Sequence, residues 1–313
     1  MNKLLSFMVL MVFMAPITAG SAEHASVIRL VYPNKAQYAP FIIAKATGAW
    51  KKSGLVVKDI VLAGGGINAA EALIAGEADI AAMGDVPALI ALSRNEDFHI
   101  LSSYMTSERM HKIVASGTSG INKPADLKGK KVAVQMGTST HGALLLYLQK
   151  QGIEPKGVTW VAFPPQHFPE AIQAGEVDAI AGSEPWPQNV LDKNPTAYQL
   201  TDLSGLGNTY PHVILIRNDF LQAHPQEVRT ILNVIAETEI MLREKPEKAA
   251  RISSGSTGRD WRKELGANAE MKWQLSLEES IENSLDQTAN FLFDQGKLKK
   301  IPDIKKAMHK MEK

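Results

Sequence analysis

The chain has 313 residues, with 34 basic and 33 acidic side chains, eight histidines and no cysteine. A chain without cysteine has no disulfides, no thiolate catalysis and no zinc–thiolate site. The balanced charge argues against nucleic acid or an anionic membrane as the main partner, because both attract strongly basic surfaces.

The N-terminal segment, residues 1–22, has the features of a cleavable secretory signal peptide. Lys3 provides a positive charge, an unbroken apolar run follows, and Gly20, Ser21 and Ala22 provide the small residues of a cleavage site. The apolar run is much shorter than the ~20 residues that a membrane-spanning helix needs. A lipid anchor at the cleavage site is excluded, because it requires a cysteine. We therefore expect cleavage after Ala22 and a protein that is soluble in the periplasm of a Gram-negative bacterium.

An internal repeat divides the chain into two similar halves. Residues 71–87 (EALIAGEADIAAMGDVP) and residues 170–186 (EAIQAGEVDAIAGSEPW) share Glu-Ala, Ala-Gly-Glu and Asp at matching positions, 99 residues apart. Each copy predicts a helix end, a glycine stop, a short apolar strand, and a turn that carries an acid, Asp85 or Glu184, into the next helix. About 290 residues remain after the leader, which exceeds one typical core, so two domains are expected.

Both halves follow the order strand, helix, strand, helix, strand, which is typical of parallel sheets flanked by helices. We therefore predict an α/β protein with two lobes, each a mostly parallel sheet covered by helices. Residues 23–112 and 213–313 are assigned to a discontinuous first lobe and residues 113–212 to the second, with the two crossings as hinges. Ligands bind at the carboxyl ends of parallel strands, so the loops of both lobes are expected to surround one cleft.

The segment GTSTH lies between an apolar strand and an amphipathic helix. Gly137 and the unpaired N–H groups of a helix N-terminus suit a small oxyanion, and the hydroxyls of Thr138, Ser139 and Thr140 add donors. Helix capping alone is the alternative, because Ser and Thr are ordinary N-cap residues. His141 is expected to be neutral, since the helix dipole disfavours a charged imidazole in the first turn.

Other candidate residues for the same cleft come from turns and aromatic positions. The turn GGGIN contains Gly65, but it lacks the spacing of a dinucleotide fingerprint and the Gly-Lys-Ser/Thr of a P-loop. Asp85 and Glu184 each lie near a proline at a predicted helix start, where they either cap the helix or accept hydrogen bonds from a ligand. The aromatic candidates, which either line the cleft or belong to the core, are Tyr38, Trp186 and Tyr210.

Signatures of catalysis are weak. The sequence has no His-Glu-x-x-His and no Gly-x-Ser-x-Gly, and its histidines lack the spacing of metal ligands. We therefore predict that the protein is not an enzyme and binds no metal or cofactor.

Four segments carry a resemblance to a known family: YAPFIIAKATGAWKKSGLVV, AGEADIAAMGDVPALIAL, DLKGKKVAVQMGTSTHGALLLYLQKQGI and AIQAGEVDAIAGSEPW. They resemble the solute-binding proteins of ABC importers in the nitrate, sulfonate and taurine group, above all the aliphatic-sulfonate-binding proteins. The resemblance covers most of the chain after the leader and is strongest over residues 38–186.

This resemblance implies a two-lobed, type II periplasmic binding fold that closes over a solute and delivers it to a membrane permease and its ATPase. It implies that the turn from Gly137 to His141 receives the anionic head of the solute, and that Asp85 lies in the cleft. Glu184 departs from the family pattern, because it stands where an aromatic residue is expected. The family pattern therefore does not define the wall that receives the tail of the solute.

The leading hypothesis is a monomeric solute-binding protein for a small organic anion, with alkyl or amino-alkyl sulfonates as first candidates. Asp85 and Glu184 are expected to orient the polar tail of the solute. One alternative is a heteroaromatic or pyrimidine-type solute that stacks between aromatic side chains. The two acids would then accept hydrogen bonds from the N–H groups of its ring. Further alternatives are a periplasmic enzyme on the same fold, or a partner of a membrane sensor.

Overall fold

The computed structural model describes residues 26–309, which form two mixed sheets flanked by helices. The predicted signal peptide lies outside the described residues. Between residues 26 and 309, no helix is long and apolar enough to cross a membrane. The predicted α/β class is confirmed.

Eleven strands build the two sheets. They are β1 (Val27–Pro33), β2 (Val56–Leu62), β3 (Ile80–Gly84), β4 (Phe98–Thr106), β5 (His111–Ala115), β6 (Lys131–Val134), β7 (Thr159–Ala162), β8 (Ala179–Ser183), β9 (Tyr198–Asp202), β10 (His212–Arg217) and β11 (Lys272–Ser276). The first sheet has the order β11–β4–β10–β3–β1–β2, and the second has the order β7–β6–β8–β5–β9.

Helices cover these sheets. They are α1 (Ala39–Thr47), α2 (Ala49–Lys52), α3 (Gly66–Ile74), α4 (Asp85–Arg94), α5 (Ser139–Lys150), α6 (Phe168–Gln173), α7 (Trp186–Lys193), α8 (Asn218–Ala223), α9 (Pro225–Glu244), α10 (Pro246–Thr257), α11 (Trp261–Ala269), α12 (Glu279–Asp294) and α13 (Ile304–Ala307). Helices α9 and α10 pack on α1, and β11 pairs with β4, so most of the C-terminal segment lies against the first sheet.

The sheets are mixed, whereas mostly parallel sheets were expected. β1 pairs in parallel with β2 and β3, and β6 pairs in parallel with β7 and β8. Each sheet also receives one strand directly from the other sheet, β5 in the second and β10 in the first, and both run antiparallel to their neighbours. Both strands pair with strands that do not precede them directly in the chain, so the local order of helices and strands does not set their direction.

The chain passes between the sheets through residues 107–110 and residues 203–211. β5 begins at His111 and β10 at His212, one or two residues before the expected lobe limits. The lobe limits and the hinge role of these crossings remain predictions.

The internal repeat corresponds to two equivalent units, α3–β3–α4 and α6–β8–α7. In each unit the central strand is fully buried. Gly76 and Gly175 follow the first helix of each unit with φ of 72° and 69°, a left-handed conformation that glycine adopts without strain. Both central strands therefore end in a turn that begins a helix, as predicted.

Candidate functional site

A cavity lies between the two sheets, where the carboxyl ends of β1, β3, β6 and β8 meet. Its volume is about 40 Å³, roughly three times the ~10–15 Å³ needed for one water molecule. It is lined by Lys35, Gln37, Tyr38, Gly65, Gly66, Gly84, Pro87, His111, Gln135, Thr138, Ser139, Thr140, Pro165, Phe168, Ala181, Gly182, Ser183, Trp186 and His212. A space of this size suits a solute with few non-hydrogen atoms.

Several helices of the described chain begin at this cavity, among them α3 after Gly65, α4 after Gly84, and α5 at Ser139. The first N–H groups of a helix have no partner within the helix and carry a partial positive charge. The N-terminal ends of these helices therefore favour a negatively charged group in the cavity.

Loops of the two sheets touch each other beside the cavity, and two glycines make the close approach possible. A Cβ atom on Gly84 would overlap Ser139 Oγ and lie 3.1 Å from His212 Nε2. A Cβ atom on Gly65 would lie 3.1 Å from Gln135 Oε1 and 3.3 Å from Thr138 Cγ2. A larger residue at Gly84 would therefore push the loops apart.

Ser139 and Thr138 have different roles in the predicted anion turn. Ser139 is the first residue of α5, and its hydroxyl is hydrogen-bonded to Asp85. Thr138 is the N-cap: its Oγ1 accepts from the His141 N–H at 3.3 Å and donates to the Gln135 carbonyl at 2.7 Å. The capping alternative therefore holds for Thr138, which lines the cavity as well.

Asp85 does not line the cavity, and its carboxylate is bound by protein donors that include the first turn of α4, which agrees with the capping alternative. It is 1% exposed and accepts from the Val86 N–H at 2.8 Å and from Thr288 Oγ1 at 3.3 Å, in addition to Ser139. Burial raises the pKa of this carboxyl, and the hydrogen bonds from Ser139, Val86, Thr288 and its own backbone oppose the rise. The role of Asp85 in this structure is to orient Ser139 and the start of α4.

Glu184 also lies outside the lining, and its contact with the solute stays a prediction. Its Oε1 is 3.1 Å from Lys112 Nζ, and its Oε2 accepts from the Gln188 N–H at 3.3 Å. Lys112 in turn lies 2.9 Å from Glu270 Oε1. The carboxylate of Glu184 therefore faces a charged cluster, and with Lys112 and Glu270 it lines a second, larger cavity.

His141 and Gly137 bind each other beside the cavity without being part of its lining. The Gly137 N–H donates to His141 Nδ1 at 3.4 Å, and the imidazole meets the Trp160 ring edge-on, with 5.9 Å between ring centres. Burial and the nearby Lys297 lower the pKa of His141 to about 4, so the imidazole is neutral, as expected.

Tyr210 belongs to the core of the second crossing and does not line the cavity. It is 2% exposed, and its hydroxyl donates to the Leu203 carbonyl at 3.0 Å. The sequence-predicted residues that do line the cavity are Tyr38, Gly65, Thr138, Ser139, Thr140 and Trp186.

Two neutral histidines in the lining had not been predicted. Thr140 Oγ1 lies 2.9 Å from His111 Nδ1, and Tyr104 OH lies 3.2 Å from His212 Nδ1. Burial and the charge of Lys35 lower the pKa of His111 to about 3, and burial also holds the pKa of His212 well below its usual value. His111 is the first residue of β5 and His212 is the first residue of β10, the two strands that enter one sheet from the other. The signal in the sequence was their position next to the crossing segments.

Lys35 is the one lining residue with a formal charge in the described part of the chain, and it was also missed. It follows β1, and its Nζ lies 3.3 Å from Ser183 Oγ and 5.9 Å from the centre of the Trp186 ring. Burial and the nearby Arg259 lower the pKa of Lys35 to about 8, against the opposing effect of Glu184. The ammonium is therefore mainly protonated at neutral pH. The signal in the sequence that could have identified Lys35 was a basic residue close to the carboxyl end of β1.

Unpaired polar atoms of three lining residues are buried. Among the residues described, Gln37 Oε1, His111 Nε2 and Trp186 Nε1 have no hydrogen-bond partner. Such atoms are costly in a folded protein unless a ligand or water satisfies them. They provide one acceptor, one indole donor and one imidazole nitrogen for a polar solute.

Metal binding has no support in residues 26–309, where no group of three or more His, Asp or Glu side chains could hold an ion. The lining has no aspartate or glutamate within that range.

Comparisons with known proteins agree with this architecture. The alkanesulfonate-binding protein SsuA from Xanthomonas axonopodis pv. citri, solved bound to MOPS, superimposes with a TM-score of 0.81, covering 92% of this chain and 99% of that one at 23% identity. The periplasmic aliphatic sulphonate binding protein SsuA from Escherichia coli gives a TM-score of 0.79, covering 92% and 93% of the two chains at 21% identity. The fold is therefore that of the periplasmic binding proteins.

Sequence comparison identifies the family. The model of the NMT1/THI5-like family matches residues 35–249, and the chain belongs to that family. The taurine-binding periplasmic protein of Escherichia coli K12 is 28% identical over 293 residues, which cover 87% of each chain. The resemblance to the sulfonate and taurine group is confirmed.

Proposed function

We propose that the protein is the periplasmic solute-binding component of an ABC importer and that it binds a small sulfonate-type anion in the cavity. The observation that carries this proposal is the meeting of the N-termini of α3, α4 and α5 with the Lys35 ammonium at one small space. Positive ends of helices and an ammonium group both stabilise an oxyanion that has left water. The Thr140 hydroxyl and the Trp186 indole N–H provide further donors.

The relatives support the same class of solute. Both the taurine-binding relative and the alkanesulfonate-binding structure align over most of their length, so the whole binding unit is comparable. We propose in addition that the protein is a monomer that closes over its solute and delivers it to a permease. The ligand shifts the open–closed equilibrium only through contacts that are better in the closed state.

A heteroaromatic solute has less support. Tyr38 and Trp186 line the cavity, as that alternative requires, but the carboxylates of Asp85 and Glu184 do not. No acid is therefore placed to accept ring N–H donors. The volume of about 40 Å³ also favours a compact anion.

Catalysis has no support in the geometry. A nucleophilic triad needs an acid on the histidine and the histidine on the hydroxyl. Here Asp85 is bonded to Ser139, and His212 Nδ1 lies beside the hydroxyl of Tyr104. This arrangement fits solute binding.

Calorimetry and thermal unfolding test the proposal. The protein is first unfolded and refolded to remove ligand carried over from purification. The solutes are ethanesulfonate, isethionate, taurine, sulfate, nitrate and a thiamine-type pyrimidine. A true ligand at 100 times its dissociation constant adds about 2.7 kcal/mol to the free energy of unfolding. Stabilisation by the pyrimidine and by no anion would contradict the proposal.

The Ser139→Ala variant connects this binding to the cavity. Loss of the hydroxyl should weaken binding of the anion by roughly 1–3 kcal/mol, because the buried Asp85 carboxylate beside the cavity loses one of its donors. Ser93→Ala is the matched control, since Ser93 Oγ donates to the Ile90 carbonyl on α4 and lies outside the lining. Equal affinities of both variants and the unmodified protein would place the anion elsewhere.

A further inference from the structure

Among the described residues, the lining of the cavity carries a positive charge and no negative charge. Lys35 is part of the lining, whereas the two acids that the sequence placed in the cleft bind protein donors outside it. A solute in the cavity therefore meets a cation and no carboxylate of the described chain.

From this arrangement we infer that the cavity selects solutes with an anionic head and no cationic group, and that Lys35 enforces this choice by rejecting amino-alkyl sulfonates. The inference rests on the proposed function, because it divides the sulfonate class into solutes that are accepted and solutes that are refused.

Lys35 lies where the two sheets face each other. It comes from the loop after β1 in the first sheet and reaches Ser183 and Trp186 at the end of β8 in the second. A solute in this cavity lies against a wall that contains the Lys35 ammonium. Like charges that have lost water repel each other much more strongly than they do in solution.

The other charged groups near Lys35 leave its positive charge in place. Arg259 adds a second positive charge nearby. Glu184, the acid that raises the pKa of Lys35, is already bonded to Lys112. The two neighbouring histidines are neutral, because burial lowers the pKa of both. A second cation in the cavity would therefore have no negative partner except the head of the solute itself.

Neutral acceptors do not replace a carboxylate for an ammonium group. Gln37 Oε1 is the buried acceptor without a partner, and it suits a hydroxyl donor. An ammonium group loses far more hydration than a hydroxyl when it enters a buried site. Apolar surface for the carbon atoms of the tail comes from Pro87, Pro165, Phe168 and Trp186.

Isethionate and taurine provide the test, because they differ only in a terminal hydroxyl or ammonium group on the same two-carbon sulfonate. Calorimetry at pH 7 on refolded protein should show that isethionate binds at least tenfold more tightly than taurine, with ethanesulfonate on the side of isethionate. Equal binding, or tighter binding of taurine, would overturn the inference and leave the proposed function intact. Failure of all three to bind would instead refute the proposed function.

Two variants assign the preference to Lys35. Lys35→Met should weaken isethionate binding at least tenfold and reduce the isethionate-to-taurine ratio to less than threefold. Lys35→Gln repeats the test with a polar side chain, and a thermal unfolding transition shows that each variant is folded. Lys45→Met, an exposed lysine on α1, is the matched control and should leave both affinities unchanged. An unchanged ratio in both folded Lys35 variants would refute the role of Lys35.

Discussion

The ammonium of Lys112 lies 3.1 Å from Oε1 of Glu184, and the two side chains are only 11% and 13% exposed. Lys112 also lies 2.9 Å from Glu270, which follows α11 beside the first sheet. Glu184 thus belongs to an ion cluster that connects parts of the two sheets. Its counterpart in the repeat, Asp85, is likewise bound by protein donors.

Replacement of Glu184 by glutamine should leave the affinity for the solute within threefold of the unmodified protein. The free energy of unfolding should fall by roughly 1.5–3 kcal/mol, because a partly buried ammonium loses one charged partner. Calorimetry and urea unfolding measure the two quantities. Glu170→Gln, which removes an exposed partner of Lys193, is the control and should change little. A tenfold loss of affinity in Glu184→Gln would show that this acid contacts the solute.

Replacement of Gly84 by alanine should prevent the loops of the two sheets from closing. The new Cβ would overlap Ser139 Oγ, so the variant should lose most of its affinity, and overpacking should cost roughly 1–3 kcal/mol of stability. Small-angle scattering with saturating solute should show a more open molecule than the unmodified protein. Gly255→Ala is the control, because a Cβ there has no neighbour within 4 Å. Normal affinity in Gly84→Ala would contradict the close approach.

Affinity for a sulfonate should depend on pH through Lys35. The pKa of Lys35 is about 8 without solute, and a bound anion raises it, so binding takes up a proton above that pH. The affinity should therefore be constant near pH 6–7 and fall as the pH rises above 8. The histidines of the lining do not titrate in this range, because their pKa values are lowered. Calorimetry should show a flat profile for Lys35→Met. A flat profile in the unmodified protein would contradict the prediction.

Stability should also change with pH, through Glu239 on α9. This carboxyl is 2% exposed, accepts from the Leu275 N–H at 3.0 Å, and has a pKa raised to about 7 by burial. The folded protein thus holds a proton that the unfolded chain has released, so the free energy of unfolding should fall by roughly 3 kcal/mol between pH 4.5 and 7. Urea unfolding at several pH values measures this slope. Glu239→Gln should remove it, whereas the exposed neighbour variant Glu237→Gln should keep it. Equal slopes in the two variants would refute the assignment.

Much of the fold follows from local patterns in the sequence. The alternation of apolar strands and amphipathic helices, and the repeat at residues 71–87 and 170–186, predicted two α/β units with parallel strands. The antiparallel insertion of β5 and β10 was not predicted, because it depends on pairing with strands that are far away in the chain.

The residues of the candidate site likewise include some that local sequence patterns predict and some that they do not. Ser139 and Thr140 were identified because a helix N-terminus is a local feature, readable from a glycine and three hydroxyl residues. Lys35, His111 and His212 carry no motif, and they meet the cavity only because the two sheets face each other.

Each of the two repeat acids accepts one local amide N–H, from Val86 or Gln188, but its other carboxylate oxygen is directed by tertiary structure. Asp85 turns toward Thr288, 203 residues away, and Glu184 turns toward Lys112, 72 residues away. A buried carboxylate takes the nearest donors that compensate for lost water, and distant segments supply those donors here. The sequence by itself determined which residues begin the helices around the cleft. Only the packing of distant segments decided which side chains face the solute, because hydrogen-bond partners and charges act through space rather than along the chain.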